Sequence, residues 1–222
     1  MNRTFIIGDI HGCCKTFRHM VTKEINIRKT DKLYLLGDYI DRGPDSKGVI
    51  DFILELRAEN YQVHTLRGNH EELLLRSGDG PNSFDLWFSN GGDTTLDSFG
   101  IESIEELDPV YLDFFKRTKY YIKTKELMLV HAGLNFREPD PMKDKMSMLW
   151  IRRSEADLDF LQGRLLVHGH TPTHYEDLLA QKIQSPLNID GGCVFKNREG
   201  YGYLIALDFT ERKLIEVRNK EG

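Results

Sequence analysis

Apolar residues in this chain come in short blocks that break abruptly at glycine, acid or histidine. Residues 4–7 read as a buried strand that leaves through Gly8-Asp9-Ile10-His11-Gly12. Phe17, Met20 and Val21 recur at helical spacing, which predicts a crossover helix over residues 16–27. It leads to a second apolar run, residues 33–36, expected to be the central strand, which ends at Gly37-Asp38-Tyr39-Ile40-Asp41-Arg42-Gly43. Asp45-Ser46 supplies a cap, and Val49, Ile50, Ile53, Leu54 and Leu56 mark an amphipathic helix. Residues 61–66 are the next strand, ending at Gly68-Asn69-His70-Glu71. Strands alternating with helices predict right-handed βαβ units and a mostly parallel sheet.

The pattern loosens at about residues 76–119, where turn clusters flank short helical pieces, and this stretch reads as a helical excursion inside a single domain, 1–222. Residues 121–124 and 127–130 predict a hairpin about Lys125-Glu126, closed by Val130-His131-Ala132-Gly133. Residues 135–145 read as a surface loop, and residues 165–167 as a strand ending at His168-Gly169-His170-Thr171-Pro172. The tail, at residues 187–189, 203–208 and 214–217, predicts three more strands in antiparallel pairing. The fold class is α/β, an α+β sandwich of two mixed β-sheets packed face to face with helices outside.

Composition narrows the partners. A chain of 222 residues that is 40% hydrophobic has material for one substantial core. The net charge of -5 and a pI near 5.9 leave no basic footprint for a phosphate backbone, so nucleic acid is not an expected partner. Cys13, Cys14 and Cys193 form a poor disulfide framework and read as small buried hydrophobes in a reducing compartment. With no apolar run of membrane-spanning length and no signal-like start, the expectation is a cytoplasmic protein with no membrane partner.

Charge at the end of a core strand is costly unless a cation or dense hydrogen bonding compensates it. Asp9 and His11 alternate by two and can point to the same side of an extended backbone; with Asp38 they offer two oxygens and a nitrogen to one cation. Asn69, His131 and His170 offer a second set that can share Asp38 as a bridge. Mixed oxygen and imidazole donors suit manganese, iron or zinc better than calcium or magnesium. Two such ions roughly 3.5–4 Å apart would hold a hydroxide between them and clamp the oxygens of a phosphoryl transfer.

The five motifs, in this order and over residues 4–195, resemble the calcineurin-like metallophosphoesterases, and within them the compact bacterial and bacteriophage phosphoprotein phosphatases. The resemblance implies two divalent metal ions, manganese expected and iron or zinc possible, with Asp9, His11 and Asp38 on one and Asp38, Asn69, His131 and His170 on the other. It makes His70 the general acid, paired with Asp41, and Arg42 a phosphate ligand. The second phosphate-binding arginine follows a Leu-Trp pair in such enzymes, which points to Arg152, or to Arg153 if the register slips by one. Many phosphodiesterases and nucleases of the wider family carry a further histidine where this chain has Pro172, a departure that favours the phosphoprotein phosphatase group. The expected activity is therefore a serine/threonine protein phosphatase acting on a phosphorylated protein or small phosphoester. The alternative is a symmetrical dinucleoside tetraphosphate hydrolase, a longer family that resembles Gly-His-Trp where this chain has Gly-His-Thr-Pro. A catalytically dead phosphoprotein-binding module would have lost a ligand or the acid, and none is missing. Glu71 reads as a helix-start acid, Asp190-Gly191-Gly192 as a structural turn, Trp150 as packing, and His168 as no ligand.

Overall fold

The computed structural model describes residues 2–153 and 155–222. Three parallel strands, β1 (Thr4–Ile7), β2 (Lys32–Leu35) and β3 (Gln62–Thr65), are linked by α1 (Cys14–His19) and α2 (Ser46–Ala58). The hairpin of β8 (Tyr203–Asp208) and β9 (Lys213–Arg218) joins the free edge of β1 antiparallel, giving the order β3-β2-β1-β8-β9. The middle strand is therefore β1, not the run at 33–36, because the chain returns at its end to cover the side of β1 that β2 leaves open. A second sheet runs β4-β5-β6-β7: β4 (Tyr121–Lys123) and β5 (Leu127–Val130) form the expected hairpin, while β6 (Leu165–His168) and β7 (Leu187–Asn188) continue it in parallel.

The parallel pairing of β7 corrects the antiparallel expectation. A further helix, α9 (Tyr175–Ala180), carries the chain back between β6 and β7, and a crossover of that kind returns a strand in the same direction. Another difference is at α1, which starts at Cys14 and runs on through a wide turn at Met20–Glu24. The expected loop at 135–145 contains a short turn, Pro141–Lys143, and feeds α7 (Lys145–Trp150), whose start Asp144 caps by accepting from Ser147 N at 2.9 Å. A short α8, Leu158–Leu161, follows it.

Period-two alternation divides the buried strands between two cores. Phe5, Ile7, Leu33 and Leu35 face the helices and meet Phe17, Val49 and Ile53. Ile6, Tyr34 and Leu36 face the second sheet and meet Leu129, Val167 and Ile205, so the sheets pack face to face. The outer face of the second sheet is closed by Met148 of α7 and Leu161 of α8 against Met128 and Leu166. Both faces of every central strand are covered, and the strand ends are where polar groups collect.

After β3 comes α3 (Asn69–Arg76), and then the helical excursion: α4 (Pro81–Trp87), α5 (Asp93–Phe99) and α6 (Pro109–Arg117). The turn between α4 and α5 bends at Gly91, whose φ of 104° and 2.8 Å approach of a hypothetical Cβ to Arg42 Cγ demand a glycine. Gly91 O accepts from Arg42 N at 3.1 Å, and Ser98 Oγ from Lys47 N at 2.9 Å, so the excursion is tied to the loop after β2.

Candidate metal centre and its cavity

The carboxyl ends of β1, β2, β5 and β6 and the start of α3 converge on Asp38. Its Oδ2 lies 3.5 Å from His11 Nε2 and 3.4 Å from His131 Nε2, and its Oδ1 accepts from His70 N at 3.1 Å. Nδ1–H of His11 donates to Ile40 O at 2.9 Å and that of His131 to Leu36 O at 3.0 Å, which fixes the tautomer and leaves each Nε2 as a lone pair. The His131 lone pair then faces Asn69 Oδ1 at 2.9 Å with no hydrogen between them, the arrangement a cation resolves. Asn69 Oδ1 also takes a hydrogen bond from His170 Nδ1 at 2.8 Å.

Among the described residues, the buried side-chain polar atoms lacking any partner are Asp9 Oδ1 and His170 Nε2, both on expected ligands. Buried polar groups rarely stay unpaired, so these two fit a metal centre. Asp38, His131 and His170 bring ligand atoms close enough to share one ion. On the other side His11 and Asp38 cluster with His70, while Asp9 stands slightly apart, its Oδ2 accepting from His170 N at 3.0 Å. The donor set fits divalent cations of the borderline type.

Burial keeps the imidazoles neutral, the ligating form: His11 and His170 are each pushed down to about 3, and His131 is lowered too. Burial works against the Asp38 carboxylate, yet the imidazoles of His131, His70, His11 and His170 hold its pKa below the ordinary aspartate value. Burial also raises Asp9, with the charges of Asp190 and Asp38 adding to it.

His70 is the exception among the histidines. Burial opposes its protonation, but the charge of Asp38 and the hydrogen bond and charge of Asp41 override that cost, so its pKa lies above the ordinary value. Its Nδ1 donates to Asp41 Oδ2 at 2.7 Å. Asp41 is fully buried, and burial raises its pKa against the hydrogen bonds it receives. Besides His70, its donors come from the excursion: Trp87 Nε1–H at 3.1 Å and the Thr95 hydroxyl at 2.7 Å. Trp87 and Thr95 carry no signal of this in the sequence, because nothing local announces that a helical insertion will fold back onto Asp41.

Backbone strain gathers at the same loops. His11, Asp38, Asp41, Arg42 and His170 all have positive φ, between 46° and 70°. Left-handed backbone in non-glycine residues costs about 1–3 kcal/mol each where it is strained, and it persists where the surroundings over-determine it. Glu71 supplies part of that constraint. As expected it sits in the first turn of α3, but its buried carboxylate also accepts from Asp38 N, Tyr39 N and Gly68 N, each at 2.8 Å, clamping two strand-end loops together.

Asp38, Asn69, His70 and His170 floor a cavity of about 340 Å³ whose walls include Arg42, Arg152, Trp150 and Pro172. Arg42 Nη1 donates to His11 Nε2 at 3.1 Å, placing the guanidinium at the edge of the cluster. Arg152 lines this cavity; Arg153 lines a separate one of about 410 Å³ with Leu134 and Phe136, which contains none of the clustered acids and imidazoles. Trp150, expected to be packing, also stands in the cavity wall, 6.1 Å edge-on from the His170 ring. Asp190 keeps its turn, accepting from Gly192 N at 2.8 Å, but it is a buried acid whose charge acts on Asp9. It follows β7 as the other acids follow their strands, a signal present in the sequence. The His168 ring pairs with Gly169 O at 3.2 Å, and among the described residues it belongs to neither group of ligand atoms around Asp38.

The family described as calcineurin-like phosphoesterase matches residues 3–195. The asymmetrical bis(5'-nucleosyl)-tetraphosphatase of Anoxybacillus flavithermus is 28% identical over 96% of this chain and 92% of its own length. The symmetrical bis(5'-nucleosyl)-tetraphosphatase of Nitrosospira multiformis is 32% identical over 79% of this chain but only 59% of its own. A serine/threonine phosphatase of Saccharomyces cerevisiae shares the fold with a TM-score of 0.62 at 14% identity, covering 100% of this chain and 80% of that one. Among the described residues no helix is long and apolar enough to cross a membrane.

Proposed function

The chain belongs to the calcineurin-like phosphoesterase family, and from that premise we propose that it hydrolyses the polyphosphate bridge of dinucleoside tetraphosphates rather than phosphoproteins. The expectation of a serine/threonine phosphatase gives way because relatives 25% and 28% identical over 97% and 96% of the chain are named as dinucleoside tetraphosphatases, whereas the serine/threonine phosphatase that shares the fold is 14% identical. Length separates this chain only from the symmetrical enzymes, and the asymmetrical ones are of its own size. Thr171-Pro172 points the same way, away from the symmetrical group.

The observation that carries the chemistry is the pair of orphaned ligand atoms, Asp9 Oδ1 and His170 Nε2, beside Asp38. Asp9, His11 and Asp38 would hold one divalent ion and Asp38, Asn69, His131 and His170 the other, manganese being the expected metal. Such ions supply Lewis-acid charge to the phosphoryl group and lower the pKa of water. The protein's own residues do the rest. Arg42 and Arg152 orient and neutralise the phosphoryl oxygens. Water adds to phosphorus and releases a proton to solvent, the bridging P–O bond breaks, and His70, whose protonated form Asp41 favours, gives its proton to the departing oxygen and regains one from solvent. Glu71 and the Asp41 network hold the loops in register.

The test is the manganese-loaded protein assayed with diadenosine tetraphosphate, a phosphoserine peptide and nitrophenyl phosphate. The proposal expects kcat/KM for the tetraphosphate to exceed that for the peptide at least tenfold; the reverse order restores the phosphatase. Chromatography of the products distinguishes AMP plus ATP from two ADP, and the first pair is expected.

A further inference from the structure

We propose that the segment after β7 forms a nucleoside clamp: a nucleobase stacks on Phe195 at the cavity mouth while Arg198, seated over the Tyr201 ring, pairs with the polyphosphate. The inference rests on the dinucleotide reading above and assigns the residues that would recognise its base.

Three observations carry it. Phe195, Arg198 and Tyr201 all line the cavity floored by Asp38 and His70. They recur every three residues because the backbone makes successive tight turns: Phe195 N to Gly192 O at 2.9 Å, Arg198 N to Phe195 O at 3.0 Å, and Tyr201 N to Arg198 O at 3.1 Å. Each turn returns one of these side chains to the same side.

The apolar cores do not account for the two rings, although Tyr201 meets the His174 ring at near-right angles with centroids 5.9 Å apart. Phe195 and Tyr201 are half-buried and belong to none of the three apolar clusters. They bracket Gly192, where an added Cβ would stand 2.9 Å from Tyr201 Cδ1 and 3.2 Å from Phe195 Cδ2. The rings are thereby fixed to the strand end that carries Asp190, next to Asp9. Phe195 also stands 5.9 Å from the Arg42 guanidinium, so a base on this ring would lie beside the proposed phosphate site.

The charges agree. Arg42, Arg152 and Arg198 line one cavity, and among the described residues none has a carboxylate within salt-bridge distance. Two arginines suffice for a phosphomonoester; a third, its guanidinium 4.3 Å over the Tyr201 ring, extends the cationic wall toward the mouth. Flat aromatic faces beside arginine form a platform for a base, with every base offering a π-face to stack. A phosphoserine side chain has no flat ring to place there.

The experiment uses the full-length, manganese-loaded protein and the variants Phe195→Leu, Arg198→Ala and Phe195→Tyr, each checked for thermal unfolding and metal content. In Phe195→Leu the ratio of KM for diadenosine tetraphosphate to KM for nitrophenyl phosphate should rise by about 5- to 100-fold, the range that stacking contributes per base. Phe195→Tyr, which keeps a ring, should restore it. Calorimetry should show wild type binding ADP more tightly than inorganic phosphate, and Arg198→Ala and Phe195→Leu should each lose that preference. An unchanged KM ratio, or ADP binding no tighter than phosphate in wild type, overturns the clamp. A wild type that cannot hydrolyse diadenosine tetraphosphate yet prefers ADP, with the preference lost in both variants, overturns the dinucleotide activity and leaves the clamp standing.

Discussion

The floor and the mouth of the same cavity are built on opposite terms. The floor groups Asp38, Asn69 and His170, with Asp9, His11 and His131 clustered behind them, are buried at the ends of core strands, several on left-handed backbone and two with an unpaired ligand atom. The mouth groups Arg152 and Arg198 are exposed, and Phe195 and Tyr201 half-buried, on turns outside the apolar cores. A floor that costs folding energy persists because the chemistry needs a fixed geometry, whereas a mouth that costs little is free to vary with the substrate. The division predicts that floor variants lose turnover and metal together, and that mouth variants lose affinity alone.

The largest effect is expected at Asp38, which both ligand sets share. Asp38→Asn should lower kcat more than about 10³-fold, beyond the loss of a single stabilising donor, and should lower cation content at both sites. Asn69→Ala should empty mainly the second site. Equal metal loss in the two variants would erase the bridging role and with it the centre of the floor.

His70 comes next. His70→Gln should slow a phosphoserine peptide by about 10²–10⁴-fold, since a serine alkoxide needs a proton to leave. The dinucleotide should suffer less, because its leaving group is a phosphate, a far weaker base. The acid form exists below the His70 pKa, which Asp41 raises, so wild-type kcat should fall as pH rises through that elevated value. In Asp41→Asn the alkaline fall should move to lower pH. A pH profile that does not move would separate His70 from proton donation.

Arg152→Ala should weaken inhibition by inorganic phosphate about tenfold with metal content unchanged, as loss of charge-assisted hydrogen bonds implies. Arg153→Ala should leave inhibition as it is, because that side chain lines the other cavity. If the two results exchange, the mouth has been drawn one residue out of register. The smallest effect is expected at Thr95, which lies behind the floor. Thr95→Val removes the hydroxyl that donates to Asp41 Oδ1 and accepts from Asp41 N; because Ser46 Oγ still accepts from that N–H, the change should cost about 1 kcal/mol, roughly fivefold in kcat. No change in kcat would mean that the excursion packs against Asp41 without positioning it.

The same contrast explains what could be read in advance. Floor residues follow apolar runs directly, so strand periodicity placed them at the ends of parallel strands, and the structure brings them within reach of one another around Asp38. The two-sheet sandwich was legible for the same reason. Trp87 and Thr95 reach Asp41 only through a helical insertion whose path no local period encodes. Phe195, Arg198 and Tyr201 depend on a run of turns, and their three-residue spacing resembles a surface loop until its turns are seen. The direction of β7 was misread because α9, only Tyr175–Ala180, is too short to show a helical period. The five motifs do not by themselves choose a substrate class, because they define the floor, and the floor is shared by enzymes that differ at the mouth.

The most direct test of the floor is the number of divalent cations it holds. The protein, stripped with chelator, reloaded with manganese and freed of excess, should carry two per chain by elemental analysis, with anomalous diffraction placing both against the Asp38 carboxylate. A single manganese per chain with Asp9, His11, Asn69, His131 and His170 intact, or two that do not share Asp38, would contradict the account.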